Sequence, residues 1–436
     1  MRVLLITDWL QGVGGAERYI VAVREGLRGA GDEVRLLTSD VGTAGDGSAE
    51  YRARGSEHLL AKAVLQLANP FAASVVRRAL REFRPDVAMV NMFEHQLSPS
   101  IFAALRAVPT VLSVTDYKGI CPVSSKLLPD DRLCHDPPGL VCWRSGCVSA
   151  PHWVRDQVRY ALIRWARKHT RRVLTCSQWM SSELARHGVE AEHVSPPVPL
   201  PGTDFRRLAS ARPTLAYCGR LDRTKGVPLL LRAFARLKPI APAARLRLVG
   251  EGPLRESLED LVRALGLEEM VSFRGLVPPE LVEHEISDAW AVVVPSLWAE
   301  PLGLVAIEAI LRGIPVVASA AGGLGETVEH GTSGLLFSNG NEDELAGHLE
   351  AIVTARAFLD HAVPDAAVRR VVRRHDPELH TERLRGILMS LAGVHASTNP
   401  SARITARESL PSPSVSPALP TRPRDRHPGG PGMSSL

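Results

Sequence analysis

Glu300 and Glu308 stand eight positions apart in the run Pro295-Ser-Leu-Trp-Ala-Glu-Pro-Leu-Gly-Leu-Val-Ala-Ile-Glu-Ala309. The apolar residues Ala291–Val294 read as a strand that empties into a turn at Pro295 and Ser296. A helix is expected to open near Pro301, with Gly303 in its first turn, and to run to Arg312. Proline suits such a start because its missing N–H would be unpaired there. The unpaired amides of Gly303, Leu304 and Val305 and the positive end of the helix dipole would attract an anion such as phosphate. With one carboxylate before the helix and another inside it, the segment suits a ligand joining phosphate to sugar hydroxyls.

A second segment carries the opposite charge. Gly219-Arg-Leu-Asp-Arg-Thr-Lys-Gly226 lies between a strand and a helix. Arg220 offers a planar fork and Lys225 a point charge, so the two could converge on one diphosphate. By itself the segment reads equally well as a solvated basic loop. Gly12-Val-Gly-Gly-Ala-Glu17 follows the first strand, where Gly14 and Gly15 would let a ligand approach the backbone. Tight strand–helix turns use glycine for steric reasons too. No acid at the end of the second strand gives a nicotinamide fingerprint, since Ser39 and Asp40 come too early. Gly322-Gly-Leu-Gly-Glu326 could touch ligand hydroxyls or turn the chain, and Gly250-Glu-Gly-Pro253 reads as a turn.

These segments need elements to hold them. Strands are expected at Val3–Ile6, Glu33–Leu37, Val87–Val90, Thr110–Val114 and Val173–Cys176, with a helix over Ala16–Ala30. After the proline-rich stretch Ser195–Pro201 the alternation restarts, with strands at Thr214–Cys218, Arg245–Val249, Val271–Phe273, Ala291–Val294 and Pro315–Ala318. Helices are expected over Val227–Lys238, Leu254–Leu265 and Pro377–Leu391. The pattern implies an α/β protein of two doubly wound domains facing across a cleft, with ligands beyond the carboxyl ends of the strands. The expected boundaries are an N-terminal domain over 1–198 and a C-terminal domain over 199–376. The helix near 377–391 returns to the first domain, and a disordered tail covers 395–436.

At 436 residues the chain is long enough for two cores. A hydrophobic content of 45% and a charged content of 23% fit an ordinary soluble protein, and a net charge of +5 is weak evidence for nucleic acid. Strand-like sequence from Arg2 leaves no room for a signal peptide, and no apolar run reaches about 18 residues, so a cytoplasmic protein with reduced thiols is expected.

Four of the six cysteines, Cys121, Cys134, Cys142 and Cys147, cluster in one loop-like segment. Four thiolates suit tetrahedral zinc, but no tight Cys-x-x-Cys pair is present; structural zinc, unligated thiols and disulfides all stay open. The segment His152–Arg172 places Val154, Val158, Ala161, Leu162 and Trp165 on one face, with Arg155, Arg159, Arg164, Arg167 and Lys168 mostly elsewhere. It reads chiefly as a core helix with its arginines in water; the alternative is a basic helix lying on an anionic membrane.

Taken with Val249-Gly-Glu-Gly-Pro253, Ala321–Gly334, the Gly-Gly-Ala-Glu-Arg18 run and the Asp376–Leu391 helix, the two charged segments resemble family-four retaining glycosyltransferases of the two-Rossmann-domain GT-B fold. The resemblance covers nearly everything but the tail. It implies transfer of a sugar from a UDP- or GDP-sugar to a glycan, lipid-linked or small-molecule acceptor, with retention of anomeric configuration and no catalytic metal. By that resemblance Glu308 would bind the ribose hydroxyls and Glu300 the donor sugar. Arg220 and Lys225 would neutralise the diphosphate with the Gly303–Val305 amides, and Gly14 and Gly15 would bring the other domain's backbone to the donor. Fixed positive groups of this kind contribute roughly 3–4 kcal/mol each in favourable sites.

The chain departs from the family where it has Thr115 in place of the common His, in Ser113-Val-Thr-Asp-Tyr-Lys-Gly-Ile-Cys-Pro122. Thr115 can donate a hydrogen bond to the donor sugar, Asp116 can supply an acid function, and His95 is a second candidate at a strand end. Two rival readings are a binding protein that kept the fold without its chemistry and a sugar-nucleotide epimerase.

Overall fold

The computed structural model describes residues 1–10, 14–41, 49–201 and 209–393. Gly12 and the tail from His395 lie outside these residues. Short apolar runs too brief for helices and rich in Val, Leu and Ile build two parallel sheets. The first holds β1 (Arg2–Ile6), β2 (Glu33–Ser39), β3 (Tyr51–Ala53), β4 (Val87–Val90), β5 (Thr110–Val114), β6 (Arg172–Thr175) and β7 (Glu192–His193). Their spatial order is β3-β2-β1-β4-β5-β6-β7. The second holds β8 (Thr214–Cys218), β9 (Arg245–Val249), β10 (Val271–Gly275), β11 (Ala291–Val294), β12 (Val316–Ser319) and β13 (Gly334–Phe337), in the order β10-β9-β8-β11-β12-β13. The expected class, two doubly wound Rossmann-like sheets, is therefore present.

Every residue of β4, β11 and β12 is buried, as parallel strands covered by helices on both faces require. Alternation divides β1 between two cores. Leu4 and Ile6 pack with Val76, Ala79 and Phe102, whereas Val3 and Leu5 pack with Ile20, Val23 and Leu27 of the helix Gly15–Gly29. Leu384 and Leu388 of the last helix, Pro377–Ala392, enter the same second core, and Arg385 Nε donates to Asp32 at 2.8 Å. The final helix thus packs on the N-terminal half. Among the described residues no single helix is long and apolar enough to cross a membrane.

Strand order reverses between β1 and β4 in the first sheet and between β8 and β11 in the second. Such switch points open crevices at the carboxyl ends of the strands. The segments after β1, β8 and β11 are the glycine-bearing and charged runs singled out by sequence.

Two local expectations are corrected. The helix after β11 spans Leu304–Leu311 and does not include Pro301; Gly303 is its cap, at φ 85°, where a Cβ would strike the Leu324 side chain. The basic helix Ala150–Arg167 buries Asp156, Arg159, Tyr160, Ile163 and Ala166, while Val154 and Val158 are 59% and 52% exposed. Its buried face is rotated from the apolar stripe: Tyr160, Ile163 and Ala166 join the core of the first sheet, and Arg159 is buried near the Glu94 and Asp116 carboxyls. Sequence also missed the short edge strands β3 and β7, whose two or three residues carry too little pattern to read.

Candidate active site

β11 delivers its carboxyl end into Pro295 and Ser296, and Glu300 follows, bridged in parallel to Gly322. The Glu300 carboxylate is buried, with 7% of the residue exposed. Its Oε1 accepts from Lys225 Nζ at 2.6 Å and from Ser296 Oγ at 2.7 Å. Lys225 also lies 5.1 Å from the centre of the Trp298 ring, a cation–π distance. Gly226 makes the approach feasible: at φ 68° it brings the loop after β8 so close to the Pro295 carbonyl that a Cβ would collide with it.

Arg220 does not join Lys225 as placed. Its exposed guanidinium donates from Nε to Asp222 Oδ2 at 2.6 Å. Asp222 is itself fixed by the Thr224 amide and hydroxyl. Beside Glu300 the helix Leu304–Leu311 begins. The Leu304 and Val305 amides donate to no acceptor among the described residues, because the Pro301 carbonyl that could receive one faces Ser177 Oγ and Cys176 Sγ. Glu308 sits on the second turn of the same helix and accepts from Arg18 Nη1 at 3.0 Å.

That last contact comes from the other half, and others accompany it. Gly15 lies so close to Leu304 that a Cβ would stand 2.6 Å from Leu304 Cδ1, so its lack of a side chain serves packing across the halves. Gly14 caps the helix Gly15–Gly29. Glu326 accepts from the amides of Gln178 and Trp179 at the start of the helix Gln178–Arg186, a carboxylate on a helix N-terminus. Arg223 Nη2 donates to the carbonyls of Leu128 and Pro129 at 2.8 and 2.7 Å and to Asp131. Tyr117 meets Trp298 edge-on at 6.3 Å. The carboxyl ends of the two sheets therefore face one another.

Beyond β1, β4 and β5 the first sheet gathers acids. Asp8 accepts from the amides of His95, Gln96 and Leu97, each at 2.8 Å, which fixes the turn after β4. Burial still pushes its carboxyl up to about 6. Burial and the nearby Asp116 push Glu94 up to about 7. Asp116, which accepts from the Lys118 amide at 2.8 Å, is likewise raised by burial. His95 is driven down to about 3 by burial and the Lys118 charge, so it is neutral, and it packs 4.5 Å from the Trp9 ring. Thr115 Oγ1 reaches Asn91 Oδ1 at 3.5 Å.

Comparison with known families decides what this arrangement belongs to. Residues 14–197 match the family described as Glycosyl transferase 4-like domain, and residues 204–367 match Glycosyl transferases group 1. The chain belongs to the group 1 glycosyltransferases.

Among relatives of this chain, the D-inositol 3-phosphate glycosyltransferase of Corynebacterium kroppenstedtii is 35% identical over 190 residues, covering 38% of this chain and 42% of that one. Glycogen synthase of Mycobacterium tuberculosis is 33% identical over 236 residues, covering 52% and 53%. The chain thus spans about half or less of the length of these curated relatives. Among solved structures, the sucrose-phosphate synthase of Thermosynechococcus elongatus superposes with a TM-score of 0.69 at 23% identity, covering 91% of this chain and all of that one. Anabaena HepE in complex with UDP-glucose superposes at 0.64 and 20% identity, covering 89% and 99%. At these identities both show the fold, which is GT-B.

The glycosyltransferase fold brings Glu300, Lys225, the Leu304 and Val305 amides and Glu308 to one place. Arg220 lies at its edge, and Asp116, Thr115 and His95 belong to the opposing half. Sequence reasoning missed Ser296, Trp298, Arg18, Asp8 and Glu94. Ser296 and Trp298 lay within a segment already singled out, but nothing local marked Arg18 or Glu94 as site residues. Glu326, left open between ligand and turn, is committed to the Gln178 and Trp179 amides. The four cysteines line one cavity, though among the described residues no three His, Cys, Asp or Glu side chains stand where they could hold a metal ion.

Proposed function

We propose that this protein is a retaining glycosyltransferase that moves a sugar from a nucleotide-sugar to a glycan, lipid-linked or small-molecule acceptor. The observation that carries the reading is the pair of buried Glu300 and half-buried Lys225 at 2.6 Å, set beside two undonated helix amides and Glu308. Anion donors and sugar acceptors then lie in the order a nucleotide diphosphate sugar presents them. Glu308 takes the ribose hydroxyls. Lys225, Arg220 and the Leu304 and Val305 amides take the charge that grows on the diphosphate as the anomeric C–O bond breaks. Glu300 Oε1 is engaged by Lys225 and Ser296, and the carboxylate takes the sugar hydroxyls through Oε2.

The opposing half holds the acceptor. Thr115 donates a hydrogen bond to the donor sugar, and Asp116 provides the acid function beside it. The UDP-glucose bound by HepE makes UDP-sugars the first donors to try. Among acceptors, the exposed Val154 and Val158, flanked by Arg155 and Arg164, favour one that is lipid-linked and reached at an anionic bilayer surface.

The test is incubation with a panel of UDP- and GDP-sugars, with and without acceptors, scoring nucleotide release and the product's anomeric configuration by NMR. Acceptor-dependent release with retained configuration supports the proposal. A changed sugar without acceptor identifies an epimerase, no nucleotide binding identifies a scaffold, and an inverted product removes the retaining assignment.

A further inference from the structure

The segment between β5 and the helix Ala150–Arg167 is long and almost without regular structure. Its only repeated pairing among the described residues is the antiparallel bridge Leu127–Leu133, followed by the five-residue helix Leu140–Arg144. Loops of this length inside a compact unit are uncommon unless something fastens them or function requires them. This one has a mechanical duty: its tip, at Leu128, Pro129 and Asp131, is what Arg223 grips from the loop that also carries Lys225.

Cys121, Cys134, Cys142 and Cys147 all line a single cavity of about 10 Å³ under this loop, together with Val123 and Leu127. That is the room of one water-sized sphere. None of the four is in a disulfide. We propose that these four thiols bind one zinc ion, which fastens the 121–147 segment and so fixes the strap that Arg223 holds. Four sulfur ligands select zinc or an iron–sulfur cluster. A cavity of this size suits the single ion.

As placed, the thiols surround the cavity without standing in ligating geometry. Binding therefore requires the side chains to turn inward until each sulfur lies about 2.3 Å from the metal. The ion binds the four sulfurs as thiolates and releases their protons. Lys126, buried and paired with Glu183 at 3.0 Å, also lines the cavity.

The experiment uses the full chain, expressed with zinc in the medium and purified without chelator. About one zinc per chain is expected by mass spectrometry of the metal. Cys134→Ser and Cys147→Ser should fall to background, and Cys176→Ser should keep its zinc. Titrating metal-stripped wild-type protein with cobalt should give thiolate-to-cobalt charge-transfer absorption with tetrahedral d–d bands, which decides the matter even where a serine variant does not fold. No stoichiometric zinc together with no cobalt bands overturns the proposal. So do disulfide-linked peptides joining these cysteines in freshly prepared protein. Neither result bears on donor binding, so the glycosyltransferase reading stands or falls separately.

Discussion

Arg18 Nη1 lies 3.0 Å from Glu308 Oε1, although the residues are 290 positions apart. The bond joins the first helix of one half to the donor-side helix of the other, at the carboxylate assigned to the ribose. With the Arg18 side chain 40% exposed and that of Glu308 17%, such a pair contributes about 1 kcal/mol or less. A bound nucleotide can therefore displace it. The free protein keeps its Glu308 carboxylate oriented and occupied until donor arrives.

Two substitutions separate these roles. Glu308→Gln should weaken nucleotide binding by about tenfold, because a carboxylate accepting hydroxyl hydrogens loses one charged acceptor. Arg18→Ala should tighten it by up to about fivefold, the equivalent of the lost competing ion pair. Isothermal titration with UDP measures both. Weaker binding in Arg18→Ala would show instead that the arginine contacts the donor.

Lys225 and Ser296 both address Glu300 Oε1, and they differ in what they offer the departing diphosphate. Lys225→Ala should lower kcat on the order of a hundredfold, since it removes a positive group that acts as the leaving-group charge develops. Ser296→Ala removes a hydrogen bond from an uncharged donor and should cost about tenfold. Equal losses in the two variants would argue that both serve only to place Glu300.

Glu94 is raised to about 7 by burial and by Asp116. A carboxyl whose folded pKa exceeds its unfolded value keeps its stabilising, protonated form below about pH 4.5 and loses that contribution as pH rises through about 7. Glu94→Gln should therefore raise the melting temperature by a few degrees at pH 8 and leave it nearly unchanged at pH 4.5. Scanning calorimetry at the two pH values checks this, and an equal shift at both would remove titration as the cause.

The joint between the halves carries the opposite dependence. His375 Nδ1 donates to the Pro196 carbonyl and His380 Nδ1 to that of Ser195, each at 2.8 Å. Burial lowers both rings to about 4. A histidine held neutral contributes stability above its ordinary value of 6.5 that is lost as pH falls towards 4. His375→Asn keeps an N–H donor near the Nδ1 position without the titration. It should flatten the stability-against-pH curve between 6.5 and 4 by about one proton, roughly 1.4 kcal/mol per pH unit. Urea titrations across that range would show it; an unchanged slope would clear the ring of the effect.

Local signals carried far in this chain. Val-rich runs such as Val292–Val294 are too short for helices and too apolar for exposed strands, so parallel sheet was their only stable use. The charged loops after two of those strands were legible because strand, turn and helix start are consecutive in sequence, and Glu300 and Glu308 share that one segment. Local signals failed where a residue's role is set by what packs against it. The apolar stripe of the helix Ala150–Arg167 suggested its buried face, yet the side with Tyr160, Ile163 and Ala166 is the one that enters the core, with Arg159 buried beside it. Pairings across long separations, Lys225 with Glu300 and Arg18 with Glu308, appear only when two sheets turn their carboxyl ends towards each other. Sequence thus determined the elements and the chemical groups at their ends, because both rest on neighbours along the chain. Tertiary structure alone decided which groups meet and which acids lose their solvent, because charge pairing and burial depend on distances that the order of residues does not set.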